Sequence, residues 1–257
     1  MRMGIFTART LTAVAMSLGL GQVASAADWN GWYVGVNGGY ASGRAKAESS
    51  FSCPTGVGCP YVRPSNHALF SAAGTGSESP DGATGGAQLG FNRQNGTLVY
   101  GFEVDFNWLD LNSSRTTSAL CCAGQRFTVS VGGSTDWLLT GRGRLGWTVS
   151  PSTFVYGTGG LAFANLRVSN FFQDTFPPIA SGRSESDDTK TGWTAGIGAE
   201  MAIAKNMSLK AEYLYVDLGS VSSTAAVNFA GNVNPNLLHS SVDLTAHIFR
   251  VGLNFKF

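Results

Sequence analysis

Charge and long apolar runs are both scarce in this chain. Of 257 residues only 13% are charged, and 17 basic against 16 acidic side chains leave a formal net charge of +1. That balance offers no basic field for nucleic acid, so a nucleic-acid partner is not expected. Beyond residue 26 every apolar run is broken within a few residues by Gly, Thr, Asn, Asp or Arg. No such segment supplies the roughly 18–20 apolar residues of a membrane-spanning helix. Plentiful instead are glycine, 34 residues without a collagen period, and aromatics at 11%. This mixture suits tightly curved β structure better than a helical enzyme.

Residues 1–26 carry the three parts of an export signal. Arg2 and Arg9 supply the charged start, LTAVAMSLGLG (11–21) the apolar middle, and Ala24-Ser25-Ala26 the cleavage site. Its removal takes the formal charge from +1 to −1, because the segment holds two arginines and no acid. The remainder, 27–257, reads as one domain. An exported chain without a spanning helix crosses a membrane only as a closed barrel.

Eight segments alternate apolar and polar residues with the period of a strand: 31–42, 83–93, 97–111, 136–149, 154–167, 189–203, 207–219 and 241–257. Each reaches the roughly 9–11 residues that a tilted strand needs to cross a bilayer. Their connections alternate in length. QNG, SPS and AKN are short; 43–82, 112–135, 168–188 and 220–240 are long and rich in Ser, Gly, Asn and Pro. Short turns at one end and long loops at the other describe an antiparallel up-and-down transmembrane barrel, all-β, with periplasmic turns and four extracellular loops.

Side-chain parity then assigns the faces. In YGFEVDFNWLD (100–110), Phe102, Val104, Phe106 and Trp108 share one side, and Glu103 and Asp105 the other. A two-residue turn at Asn95-Gly96 sets Phe91 opposite Tyr100, Leu89 opposite Phe102 and Gln88 opposite Glu103. In the next pairing, Asp105 opposite Arg142 and Glu103 opposite Arg144 also place Phe106 and Val104 over Gly141 and Gly143. The same division recurs in later strands, giving a polar face of Glu103, Asp105, Glu200 and Glu212 against Arg142, Arg144, Lys210 and Arg250. Four charges of each sign cancel, as a narrow interior requires, since an unpaired buried charge costs several kcal/mol. The aromatics are therefore expected to face lipid. Trp32 and Trp147 at the short-turn ends, and Trp108, Trp137 and Trp193 at the long-loop ends, suit the two membrane interfaces.

ADWNGWYVGVNGGY, GFEVDFNWLD, VYGTGGLAFA, GWTAGIGAE, LKAEYLYVDLG and the terminal HIFRVGLNFKF together resemble the small eight-stranded outer-membrane β-barrel proteins of α-proteobacteria, often labelled porin-family or outer-membrane immunogenic proteins. The resemblance spans nearly the whole chain after residue 26 and is weakest in the loops. It implies residence in the bacterial outer membrane, with outer-membrane lipid as surroundings and the N-terminus in the periplasm. It also implies insertion by the barrel-assembly machinery, which would read Phe249, Val251, Leu253, Phe255 and Phe257. With nothing after Phe257, no peptidoglycan-binding domain is expected. Some members of the family bind hemin, which directs attention to the loop histidines His67 and His239; the plainer reading of both is solvated loop residues.

Other chemistry is weaker. GRGRLG (141–146) matches G-x-G-x-x-G, but no helix follows it, so the strand reading stands. Cys53, Cys59, Cys121 and Cys122 fall in the first two long loops, and an exported protein favours disulfides. Cys53 and Cys59 enclose a short loop and can pair, whereas the adjacent Cys121 and Cys122 pair poorly with each other, which leaves a link between loops open. Neither a metal nor a cofactor is expected. His247 lies on the lipid-side parity with no serine partner fixed by the sequence, so no enzymatic activity is expected. Eight strands leave room for side chains only, making structural ion pairs a better reading of the interior charges than a pore. The function this supports is structural and interfacial: envelope integrity, and surface contacts with host ligands through the loops. Capture of hemin or another small ligand is the alternative, and a narrow pore for small solutes or ions the second.

Overall fold

The computed structural model describes residues 27–52, 64–120, 124–175, 179–229 and 236–257. The segment expected to direct export (1–26) and all four cysteines (Cys53, Cys59, Cys121, Cys122) lie outside the described residues. In chain order the elements are β1 (Gly31–Ser52), α1 (Pro64–Gly74), β2 (Gly76–Glu78), β3 (Asp81–Asn95), β4 (Leu98–Leu120), β5 (Arg126–Ser150), β6 (Thr153–Asp174), β7 (Ala180–Ala204), β8 (Met207–Phe229) and β9 (Asn236–Lys256). Apart from β2, which pairs only with the upper part of β1, each strand pairs antiparallel with its neighbours in the sheet. β9 returns to pair with β1 from Tyr33↔Lys256 to Ser52↔Leu237. Eight strands thus close a barrel that leaves no sheet edge inside a membrane.

All eight expected strands are present, but six of them run to 22–25 residues, well into segments expected to be loops. The reason is visible in β4. Its outward residues are Tyr100, Phe102, Val104, Phe106 and Trp108, then Asp110, Asn112, Ser114, Thr116 and Ser118. Its inward residues change the other way, from Glu103, Asp105 and Asn107 to Leu109 and Leu111. β9 repeats this inside, with Asn254 and Arg250 below Ile248, Ala246, Leu244 and Val242. The strand continues while the polarity of its two faces inverts, because the wall passes from hydrocarbon into water. Ser/Thr-rich outer faces above that level have the composition of loops, and the first long connection also contains a helix and a short strand.

Two registers differ from expectation. The first turn is Gly96-Thr97, with Asn95 opposite Leu98, and Gly96 supplies the positive φ of +61° that the first central position of a two-residue hairpin favours. Phe91 therefore faces Phe102, Leu89 faces Val104 and Gln88 faces Asp105. Between β4 and β5, Glu103 rather than Asp105 is opposite Arg142, Gly101 is opposite Arg144, and Val104 and Phe102 cover Gly141 and Gly143. Moving a hairpin turn by one residue moves the pairing by two, which preserves every face. Parity alone does not distinguish the registers.

Four layers fill the interior. Trp29 from the segment before β1 packs edge-on against Phe154 at 4.5 Å, closing the periplasmic end with Val99 and Tyr156. Asp28 beside it bonds Lys256 Nζ at 3.1 Å, and hydrogen bonds from Asn30 hold its carboxyl below the usual range. Above this floor come a charged layer and an apolar chamber. The chamber is capped by α1, whose Phe70 meets Phe127 at 4.6 Å and Phe172 at 5.2 Å. The outside carries an apolar band with Trp32, Tyr100 and Trp147 at one rim and Tyr40, Trp108 and Trp193 at the other. Phe249, Val251, Leu253, Phe255 and Phe257 all point outward on β9 and its end.

Val104 lies at the middle of this band. Val104→Arg should cost roughly 2–4 kcal/mol, the depth-dependent penalty of a cation on a lipid face. Reversible urea unfolding in lipid vesicles measures it, and a neutral substitution would contradict the outward assignment.

Candidate functional site inside the barrel

The charged layer is assembled from strands distant in sequence. Glu103 and Asp105 come from β4, Arg142 and Arg144 from β5, Glu200 from β7, Lys210 and Glu212 from β8, and Arg250 from β9. All eight are buried, although they sit on strands whose opposite face is the exposed apolar band. The contrast is sharp between neighbours, with Glu103 0% and Val104 45% exposed.

Glu103 is the hub. Its carboxylate accepts from Arg142 Nη2 at 2.6 Å, from Lys210 Nζ at 2.9 and 3.0 Å, and from Arg144 Nη1 at 3.4 Å. Asp105 accepts from Arg142 Nη2 at 2.7 Å, Arg250 Nη1 at 2.8 Å and the Thr140 hydroxyl at 2.7 Å. Glu212 holds Arg250 Nη2 at 2.6 Å and Arg142 Nη1 at 3.1 Å. Glu200 takes Arg144 Nη2 at 2.7 Å. The expected side-chain pairs Asp105–Arg142 and Glu103–Arg144 are both made, as diagonals across the observed register. Long arginines reach diagonal partners easily, so a two-residue shift leaves the charge pairing intact.

Several members of the network escape a search for charges. Tyr33 from β1 donates to Glu103 Oε2 at 2.8 Å and accepts from Arg144, while Tyr156 from β6 donates to Glu212 Oε1 at 2.8 Å. The Arg144 guanidinium lies 4.0 Å above the Tyr156 ring. Gln88 from β3 joins Asn37 and Asn254, and Asn254 bonds Glu200 at 2.7 Å. Every barrel strand therefore contributes a polar side chain. Inward parity was the available signal for these tyrosines, together with the small residues facing them. A Cβ on Gly198 would meet the Tyr156 ring at 2.5 Å, and one on Gly90 would meet the Tyr33 hydroxyl at 2.2 Å.

The other candidate residues lie elsewhere. His67 is on α1 with its ring 5.5 Å from Phe51. His239 on β9 bonds Ser52 Oγ through Nε2 at 3.1 Å and Thr224 Oγ1 through Nδ1 at 2.9 Å, so hydroxyls engage both ring nitrogens. His247 is on the outer surface, its Nδ1 2.6 Å from the Tyr213 hydroxyl. GRGRLG is part of β5.

Chemically, the layer's opposite charges offset one another. Opposite charges in low dielectric attract strongly, while removing one partner strands the other at roughly 3–5 kcal/mol. Lys210 hydrogen-bonds only Glu103 among the described residues, so removing both restores the layer's charge balance, while Arg142, Arg144 and Tyr33 still lose their Glu103 partner. Glu103→Leu should destabilise the barrel by roughly 3–5 kcal/mol, and adding Lys210→Met should recover part of that loss by restoring neutrality. If Lys210→Met instead adds its own full cost, urea unfolding in vesicles will show that the two charges are not coupled.

A family model described as outer membrane protein beta-barrel domain matches residues 10–257. The 31 kDa outer-membrane immunogenic protein of Brucella melitensis is 36% identical over 231 residues, covering 89% of this chain and 84% of that protein. The 25 kDa outer-membrane immunogenic protein of the same species is 25% identical over 236 residues, covering 92% and 83%. Among solved structures, outer membrane protein OprG from Pseudomonas aeruginosa is 14% identical, covers 91% of this chain and 100% of that one, and gives a TM-score of 0.43. Neisserial surface protein A is 15% identical, covers 88% and 97%, and gives 0.35.

Proposed function

Because this chain belongs to the outer membrane protein β-barrel family and resides in the bacterial outer membrane, we propose that it is a closed, non-conducting wall element carrying a stiff extracellular turret for surface contacts. The observation that carries this reading is the fully buried ion network across the barrel's width, where Arg142, Glu103 and Asp105 side chains have no exposed area. Solute channels belong to barrels of roughly 16–18 strands, whereas eight leave an interior that side chains fill.

The turret supports the second half of the reading. Above the aromatic rim the hairpins are paired strands around an apolar core rather than free loops. Most of their exposed side chains are polar, including Asn112, Ser114, Arg167, Ser169, Glu185 and Asp187 around one shallow groove, with Leu120 and Ile179 exposed at the tips. A stiff polar surface held above the membrane suits recognition by host ligands or antibodies, and the relatives' description as immunogenic is consistent with that use. Insertion by the barrel-assembly machinery through the outward residues ending at Phe257 belongs to the same proposal, and no catalytic step does.

Recording across planar bilayers tests the closed wall. Purified barrel should add no discrete conductance steps to a bare bilayer in molar salt. Regular stepwise openings by the wild-type protein would contradict the reading and favour the narrow pore.

A further inference from the structure

Residues 27–30 leave the wall and cross the periplasmic mouth of the barrel. Gly31, the first residue of β1, takes a φ of +117°, which side chains disfavour and glycine permits. Counted along the sheet, β6 is four strands from β1 in either direction, so it stands diametrically opposite. The segment reaches that far side. Ala27 N donates to Pro151 O at 2.6 Å in the turn before β6, and the Trp29 ring meets Phe154 near the start of β6. It is tied at two further points on the way. Trp29 N donates to Gln94 Oε1 at 3.1 Å, and Gln94 N donates to Asn30 Oδ1 at 2.8 Å. Lys256 Nζ, at the end of β9, donates to the carbonyl and the carboxylate of Asp28.

Distance decides when these contacts form. Four extended residues span at most about 14 Å. In a flat sheet, four strand spacings would hold β6 about 19 Å from β1. The strap falls short of that even with its 2.6 Å hydrogen bond, so it meets Pro151 and Phe154 only after the sheet has curled. The bond to Lys256 further requires β9 beside β1, where Tyr33 lies opposite Lys256. Both contacts therefore hold a ring that already exists. Trp29 is only 6% exposed, and the Arg144 guanidinium lies 5.4 Å from the centre of the same Phe154 ring. The charged layer thus backs the strap from above.

We propose that residues 27–30 are a latch that seats after β9 has joined β1 and then keeps that joint shut. Every other pair of neighbouring barrel strands is also linked by a turn or loop of the chain; β1 and β9 are joined across space alone. Their joint is accordingly the one that can part without stretching a connection. The latch supplies a tie there, from β1 to β9 through Asp28 and Lys256, and from β1 to the opposite wall through Trp29. Swinging β9 away breaks the first tie. Swinging β1 away draws the Trp29 ring out of the apolar floor into water, at the cost of its buried surface.

The test is amide hydrogen exchange of the barrel in lipid vesicles, read peptide by peptide. Trp29→Ala should speed exchange at the periplasmic ends of β1 and β9, residues 31–37 and 250–256, by at least about tenfold. The β7–β8 hairpin at the same depth, residues 198–212, should stay within about twofold of wild type. Urea jumps should show unfolding faster by about tenfold and folding changed by less than about twofold, since a contact absent from the transition state acts mainly on unfolding. Trp29→Phe, which keeps a ring against Phe154, should restore most of the protection. Exchange unchanged at the joint, or raised equally in the β7–β8 hairpin, would overturn the latch. Failure of Trp29→Ala to insert, or folding slowed as much as unfolding is hastened, would overturn the order in which it seats.

Discussion

An eight-stranded wall encloses so little space that every charge turned inward must find its counter-ion among other inward side chains. In this barrel Glu103, Asp105, Glu200 and Glu212 meet Arg142, Arg144, Lys210 and Arg250 in one buried layer. That layer supplies cohesion at the depth where the hydrophobic effect supplies least, because lipid solvates the outer face as well as a protein core would. Strand order, face assignment and the small inward residues beside Tyr33 and Tyr156 all serve the same contacts.

Above the outer rim, water replaces lipid outside, and the logic reverses. Leu109, Leu111, Leu166 and Val168 turn inward, and Ser, Thr, Asn and charged residues turn outward. The hydrophobic effect then holds the hairpins upright, with α1 and Phe70 as the cap. Pairing irregularities collect near this transition, between Trp108 and Leu111, Ser134 and Leu138, and Asp217 and Ser220. Bulges are common at barrel rims, where they bend a strand or re-aim its side chains. A single chain thus joins an inside-out barrel to an ordinary apolar core.

The membrane-spanning half was legible in the sequence because period-2 alternation there coincides with an apolar outer face. Parity of 100–110 placed Glu103 and Val104 on opposite sides, and the charge count of the inward face anticipated a balanced layer. Absolute register was not legible, since the turn at Gly96-Thr97 and the one expected at Asn95-Gly96 give the same faces. The upper halves of the strands were missed for a physical reason. Segments such as Asn112–Ser118 alternate small polar residues on a water-facing wall, which has the composition of a loop. Tyr33 and Tyr156 were missed because a search for charge passes over uncharged side chains that complete the network.

The most direct measurement is a spin-label scan along β4, one cysteine at a time from residue 100 to residue 118, in lipid vesicles. Oxygen dissolved in lipid should reach labels at 100, 102, 104, 106 and 108, and a water-soluble nickel chelate should reach those at 110, 112, 114, 116 and 118. Labels at 103, 105, 107, 109 and 111 should be shielded from both. Accessible labels at these odd positions, or an even series with no change from lipid to water near Trp108, would contradict a wall whose charges are sealed inside and whose polarity inverts at the membrane surface.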